Sequence, residues 1–276
     1  GAKPVSCEIN PDTLFINVDD ARSKITKNTK VIMPVHYASS SKGMNEVYSL
    51  AKEFNLRVVE DAAQAFGCKR DGELVGKTGD IICFSFDGVK NITSGEGGAI
   101  LSNDKEFVQK VKDARLLGVE RDTEKRFSGQ RSWNFDVSSQ GFRYHMSNIM
   151  AAIGIVQIDR IDEFRSVRQN IARKYIKELS KLEDINLLDF DFNEILPHIF
   201  VIKACNRDNL REFLLMNDIE CGIHYKPNHL LSKYNSTFDL PVTEEIYGQI
   251  LTLPCHYDLT DSEQKYVIEK IKEFYE

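Results

Sequence analysis

The sequence predicts an α/β fold built on a parallel sheet, and three observations carry the prediction. Short runs of β-branched and apolar residues, bounded by Gly and Asp, recur at residues 30–35, 57–60, 81–86 and 99–101. Stretches of helical period at 19–25, 46–54 and 105–116 alternate with them. That alternation is the pattern of parallel strands joined by crossover helices. Third, residues able to do chemistry stand just past the ends of the runs: Asp61 and Gln64 after one, Ser85 and Lys90 at the end of another. Ligands of open α/β sheets sit beyond the carboxyl ends of the strands. An acid, an amide, a hydroxyl and a lysine are therefore expected on one rim.

In chain order, residues 1–5 enter an apolar alternation directly, and the run at 30–35 ends at His36. Gly72 to Thr78 looks like a phosphate-binding P-loop, but three residues separate its glycines where that motif needs four, and a strand follows instead of a helix. It reads better as a hairpin turn. Phe84 and Phe86, at period two, are expected in the core. The turn Ser94-Gly95-Glu96-Gly97-Gly98 permits close backbone approach. Residues 118–140, which include the only tryptophan, Trp133, read as a long surface loop. One helix is predicted over 149–180, with Ile153, Val156, Ile161 and Phe164 on one side. Strand and helix then alternate again at 199–203, 207–217, 222–225 and a closing helix over 261–275. The division that follows is a large domain, 1–148, and a connecting helix with a smaller α/β domain, 149–276.

Composition narrows the function. The 276 residues suffice for one large or two modest domains, and 42% apolar residues supply a core. A net charge of −6 with no basic, aromatic-interleaved patch argues against nucleic-acid binding. No apolar run approaches the ~18 residues of a membrane span, and the start lacks a signal-peptide core. The six cysteines are scattered without a C-x-x-C pair, which suits reduced thiols in a cytoplasmic protein. His224 and His229 stand five residues apart, a spacing that no preferred metal geometry demands, so no metal is expected.

An acid, a lysine and a hydroxyl on one rim are what pyridoxal phosphate (PLP) requires. The lysine amine binds the cofactor aldehyde, the acid keeps the pyridine nitrogen protonated, and hydroxyl and backbone donors hold the phosphate. At this point the residues carry a resemblance. The stretch VVEDAAQAFG followed by SFDGVKNITSGEGGAI is similar to the DegT/DnrJ/StrS family, PLP-dependent sugar-nucleotide aminotransferases of aspartate-aminotransferase fold. The resemblance implies a three-layer PLP-transferase large domain, incomplete at its start, with a smaller C-terminal α/β domain. It implies that an opening segment of helices and a phosphate-capping loop would precede the GAKPV-like strand.

By that resemblance, Lys90 in SFxxxKxxxxGEGG is the lysine that bonds the cofactor and then moves the proton. It also separates transaminases from related sugar dehydratases, which carry histidine there. Asp61 would face the ring nitrogen, Gln64 the ring hydroxyl and Ser85 the phosphate. The segment GFRYHMSN (141–148) is similar to one that reaches the neighbouring subunit's cofactor, placing His145 at the phosphate of a homodimer partner. His36 would line the site, and His224, Tyr225 and His229 would lie near the sugar nucleotide. The implied reaction moves an amino group from glutamate to a nucleotide-linked keto sugar, a 4-keto-6-deoxy or 3-keto sugar, for O-antigen, polysaccharide or deoxysugar assembly. The alternatives are a related PLP-dependent dehydratase and a non-catalytic remnant of the fold.

Overall fold

The computed structural model describes the chain except residues 121–128, 130–134 and 235–236, so most of the predicted long loop, with Trp133, lies outside the described residues. The first half holds α1 (Val18–Lys24), β1 (Val31–Ile32), α2 (Met44–Glu53), β2 (Arg57–Asp61), β3 (Lys69–Arg70), β4 (Glu73–Leu74), β5 (Ile81–Ser85), β6 (Gly98–Leu101) and α3 (Lys105–Ala114). Asn17 caps α1 by accepting the Asp19 and Asp20 amides, and Asp104 caps α3 through the Phe107 amide. The main sheet runs β1-β2-β5-β6. β1, β2 and β5 are parallel, as the alternation predicts, whereas β6 returns antiparallel through the Gly-rich turn. The carboxyl ends of β2 and β5 therefore share one rim, with Asp61 opposite Cys83.

The strands sort their side chains by face. On β2, Val58 and Glu60 are buried, while Val59 and Asp61 stay partly open. α2 covers the first face, packing Met44, Val47 and Leu50 against Ile32 and Val58. The other face leaves Val31 and Val35 exposed at 45% each and Met33 at 60%. The sequence at 72–78 is no phosphate loop. β3 and β4 form a hairpin turning at Asp71 and Gly72, both of positive φ, the backbone that a two-residue hairpin turn requires. Phe84 is buried and Phe86 half-buried, and Phe66 meets both rings edge-on at 5.2 Å.

The second half corrects several expectations. The helix predicted over 149–180 is two helices, α4 (Asn148–Asp159) and α5 (Ile161–Leu179), broken at Arg160. Arg160 leaves helical geometry and lays its guanidinium over Phe164 at 4.7 Å and Tyr257 at 5.4 Å. The predicted apolar side splits accordingly: Phe164 is buried, but Ile153 and Val156 on α4 are exposed at 45% and 59%. Residues 222–225 form no strand; Gly222 alone bridges Thr252. The second sheet is wholly antiparallel, β7 (Ile185–Leu187), β8 (Phe200–Ala204) and β9 (Ile250–Leu253). Around it lie α6 (Arg207–Met216), α7 (Pro241–Gln249) and α8 (Asp261–Tyr275), the last opened by a capping box between Thr260 and Glu263. Its core joins Tyr175, Phe200, Ile202, Leu210, Leu251 and Ile271.

Candidate active site

The rim beyond β2 and β5 is assembled by backbone contacts before any side chain is considered. Past β5 the chain turns at Asp87–Lys90, with the Lys90 amide donating to Asp87 O at 3.1 Å. It is then pinned to Phe86: the Ser94 amide and the Thr93 hydroxyl both donate to Phe86 O, at 3.0 and 3.3 Å, while the Phe86 amide donates to Gly97 O at 2.9 Å. Asn91, buried next to Lys90, donates to three carbonyls, Gln64 O at 3.1 Å, Phe66 O at 3.2 Å and Leu196 O at 3.1 Å. One amide side chain thus ties the lysine loop to the segment after β2 and to residues far along the chain. Sequence reasoning did not single out Asn91, although it stands beside Lys90 in the same motif.

Of the predicted residues, Asp61, Gln64, Tyr225, His224 and Lys90 come together here. Asp61 accepts the Ala63 amide at 3.1 Å on one carboxylate oxygen. Gln64 is buried; its Oε1 accepts the Ala38 amide at 2.8 Å and its Nε2 donates to the Tyr225 hydroxyl at 3.3 Å. Burial holds the Tyr225 phenol above its ordinary value and the Asp61 charge adds to this, against the opposing Gln64 hydrogen bond, so the phenol remains protonated at neutral pH. His224 bonds Thr252 Oγ1 through Nδ1 at 2.8 Å, and its carbonyl accepts the Tyr37 hydroxyl. Burial lowers the His224 pKa and the nearby Lys90 charge lowers it further, so the ring is neutral at neutral pH. The Lys90 side chain makes no hydrogen bond or ion pair with the described residues. Ser85, half-buried at the end of β5, accepts the Asp87 amide at 3.4 Å.

Two predicted residues are placed elsewhere. His36 is fully buried on the α2 side of the sheet, its Nε2 2.8 Å from Glu60. Glu60 also accepts the Tyr48 hydroxyl at 2.6 Å and Arg70 Nη1 at 2.9 Å. The reason is the period of the strand, since adjacent Glu60 and Asp61 point to opposite faces. His229 is buried in contact with Glu244 at 3.0 Å, so that ring nitrogen is already occupied. His145 is exposed, and its ring makes no hydrogen bond to the described residues.

The arrangement fits PLP on the donors it offers. Among the described residues, a lysine amine without hydrogen bond or ion pair follows one strand, a carboxylate with one oxygen uncommitted ends the neighbouring parallel strand, and a buried amide and a protonated phenol stand near that carboxylate. When bound there, the cofactor would supply an electron sink for carbanion chemistry. Asp61 would hold the ring nitrogen and Lys90 the aldehyde carbon.

Comparison with known proteins agrees with this chemistry. The model of the DegT/DnrJ/EryC1/StrS aminotransferase family matches residues 1–272. The uncharacterized protein MJ1066 of Methanocaldococcus jannaschii is 35% identical over 98% of this chain and 73% of its own length. Spr1654 from Streptococcus pneumoniae, solved in its PMP form, superposes with a TM-score of 0.90 and 29% identity, over 99% of this chain and 76% of that one. The sugar aminotransferase CalS13 from Micromonospora echinospora gives a TM-score of 0.88 and 25% identity, over 97% and 73% of the two chains.

Proposed function

The chain belongs to the DegT/DnrJ/EryC1/StrS aminotransferase family, enzymes that transaminate sugars with PLP, and from that premise we propose the substrates and the division of labour at its site. The acceptor is a keto sugar carried on a nucleotide, of the 4-keto-6-deoxy or 3-keto kind. The amino donor is glutamate, and the product serves O-antigen, polysaccharide or deoxysugar assembly in the cytoplasm. The working form is a homodimer, in which the segment carrying His145 reaches the partner's site.

The observation that carries the reading is the pairing of Asp61 and Lys90 past the ends of two neighbouring parallel strands. Asp61 keeps the ring nitrogen protonated by its charge. Lys90 would hold the cofactor aldehyde and, as a free amine, would serve as the base that moves the substrate proton. Gln64 and Tyr225 orient the ring hydroxyl and exclude water from that side. His224, held by Thr252 and Tyr37, faces the sugar. The test is spectroscopic: the visible band of the lysine-bound cofactor should vanish when glutamate is added and return with the correct keto sugar nucleotide. A band that glutamate leaves unchanged while another amino donor removes it would overturn the choice of donor.

A further inference from the structure

The turn that follows β1 adopts a backbone that its residues disfavour. Ala38 (φ 48°, ψ 34°) and Ser39 (φ 77°) stand in succession in the left-handed region, and neither is glycine. Each such residue costs about 1–2 kcal/mol. Both are sealed, at 1% and 0% exposure. Strain of this kind persists only where the surroundings over-determine it, and it gathers at functional sites. What the two residues do with this backbone is take hold of one partner, Gln64.

The grip has two points. The Ala38 amide donates to Gln64 Oε1 at 2.8 Å, and the Ser39 hydroxyl donates to Gln64 O at 2.6 Å. The entry to the turn is tied nearby, with the His36 amide donating to Asp61 O at 2.9 Å. Two backbone amides set the polarity of the whole arrangement, because a backbone N–H can only donate. The His198 amide donates to Ser39 Oγ at 2.9 Å, so the one hydrogen of that hydroxyl is left for Gln64 O. The Ala38 amide needs an acceptor, so the oxygen end of the Gln64 side chain faces it and the NH2 end faces Tyr225. Of the two hydrogens there, one is engaged by the Tyr225 hydroxyl at 3.3 Å. The other has no acceptor among the described residues.

We propose that Ser39 is a positioning residue for Gln64: with the Ala38 amide it holds the Gln64 side chain as a hydrogen-bond donor, so that the ring oxygen of the cofactor is bound as an acceptor. A free glutamine amide can turn over and exchange its donor and acceptor ends. This one cannot, since turning it would set N–H against N–H at Ala38. Asn91 also donates to Gln64 O, at 3.1 Å, so losing the Ser39 hydroxyl releases the turn and its amide rather than the Gln64 backbone. The inference rests on reading Gln64 as the contact to the ring hydroxyl.

The experiment uses the full chain stripped of cofactor. It compares dissociation constants for pyridoxamine phosphate and for its 3-deoxy analogue, which lacks the ring oxygen. Gln64→Ala should weaken pyridoxamine phosphate about tenfold, the effect of one hydrogen bond, and leave the analogue unchanged. Ser39→Gly removes the hydroxyl and relieves the left-handed strain. It should weaken pyridoxamine phosphate about threefold to tenfold, again spare the analogue, and cost nothing further in a Gln64→Ala background. Ser39→Ala should bind as Ser39→Gly does but melt lower, since it keeps the strain, and it takes the place of Ser39→Gly should that variant not fold. Gln64→Glu keeps an oxygen for Ala38 but puts an acceptor where the donor was, so it should bind pyridoxamine phosphate no better than Gln64→Ala. In the Ser39 variants, parental affinity, equal losses for the two ligands, or an undiminished loss in the Gln64→Ala background would each overturn the positioning role. Parental affinity in Gln64→Glu would overturn the donor assignment. The two readings separate at Gln64→Ala: unchanged affinity there removes the reading of Gln64 itself, whereas a loss there with unaltered Ser39 variants removes only the positioning role.

Discussion

Glu60→Ala should be among the most destabilising single changes in the first half of the chain. The carboxylate has no solvent exposure and accepts three hydrogen bonds, from His36, Tyr48 and Arg70, at 2.8, 2.6 and 2.9 Å. Arg70 is itself only 10% exposed in its side chain. Truncation would leave a buried guanidinium without its counter-charge, and a phenol and an imidazole without an acceptor. Breaking a buried pair in this way costs about 3–5 kcal/mol. Glu60→Gln keeps an acceptor oxygen and loses only the charge, so about 1–3 kcal/mol is expected. Burial alone would raise the Glu60 carboxyl, but the hydrogen bonds from His36 and Tyr48, with the charges of His36 and Arg70, outweigh it and hold the group below its ordinary value. The folded state then binds fewer protons than the unfolded one in acid. Its contribution is complete above the ordinary glutamate range and is lost as the pH falls below that range, through the depressed folded value. Urea denaturation at neutral pH and in acid measures both effects, and the Gln variant should flatten the acid limb. Because Glu60 lies on the sheet face opposite Asp61, cofactor affinity in the Gln variant should not change. A loss under about 1 kcal/mol in Glu60→Ala would refute the description of the cluster as a tightly coupled charge site.

Lys90→Ala should abolish turnover and the lysine-linked absorbance; peptide mapping after borohydride reduction should find the label on Lys90 in the parent, and label elsewhere defeats the assignment. Asp61→Asn and Asp61→Ala should slow the glutamate half-reaction at least about a hundredfold, roughly 3 kcal/mol, with a smaller loss of binding. Near-normal half-reaction rates in both would mean that another acid serves the ring nitrogen. Asn91→Ala strands three carbonyls that now share one donor, and should cost about 1–3 kcal/mol of stability while loosening the lysine loop. Thermal melts and the rate of PLP capture test it, and an unchanged melt would show that water replaces the amide.

What could be read from the sequence was what is local. The β2 and β5 runs, with their β-branched residues and punctuating Gly and Asp, fold as strands within a residue of the predicted bounds. The closing helix, with its acidic first turn, forms over Asp261–Tyr275 as predicted. The placements of Asp61, Gln64 and Lys90 on one rim follow from strand direction, which alternation with helices implies. The site's long-range partners were not legible. His198 and Ser39 lie 159 positions apart in the chain and meet only after the two sheets dock. His36 could not be assigned to a face, because a strand-end histidine reads alike whether it meets a ligand or a buried glutamate. The Tyr257 ring under the Arg160 guanidinium is equally hidden, since it arrives from far along the chain.

The strict alternation on β2 makes the site report on its own assembly. Two neighbouring acids have opposite surroundings, Glu60 sealed among Arg70, His36 and Tyr48, and Asp61 open toward Tyr225. A shift of one residue in strand pairing would turn each to the other face of the sheet, since the side-chain period is two. The chemistry and the core would fail together: shifted one way, Asp61 would stand, too short, in the Arg70 cluster, and shifted the other way, Glu60 would take the place of Asp61 and leave Val59 against Arg70. Misregistered chains would thus be both inactive and unstable, leaving little room for a folded but miswired population. For the same reason a single-residue deletion in the stretch between Arg57 and Asp61 should be far less tolerated than most substitutions there.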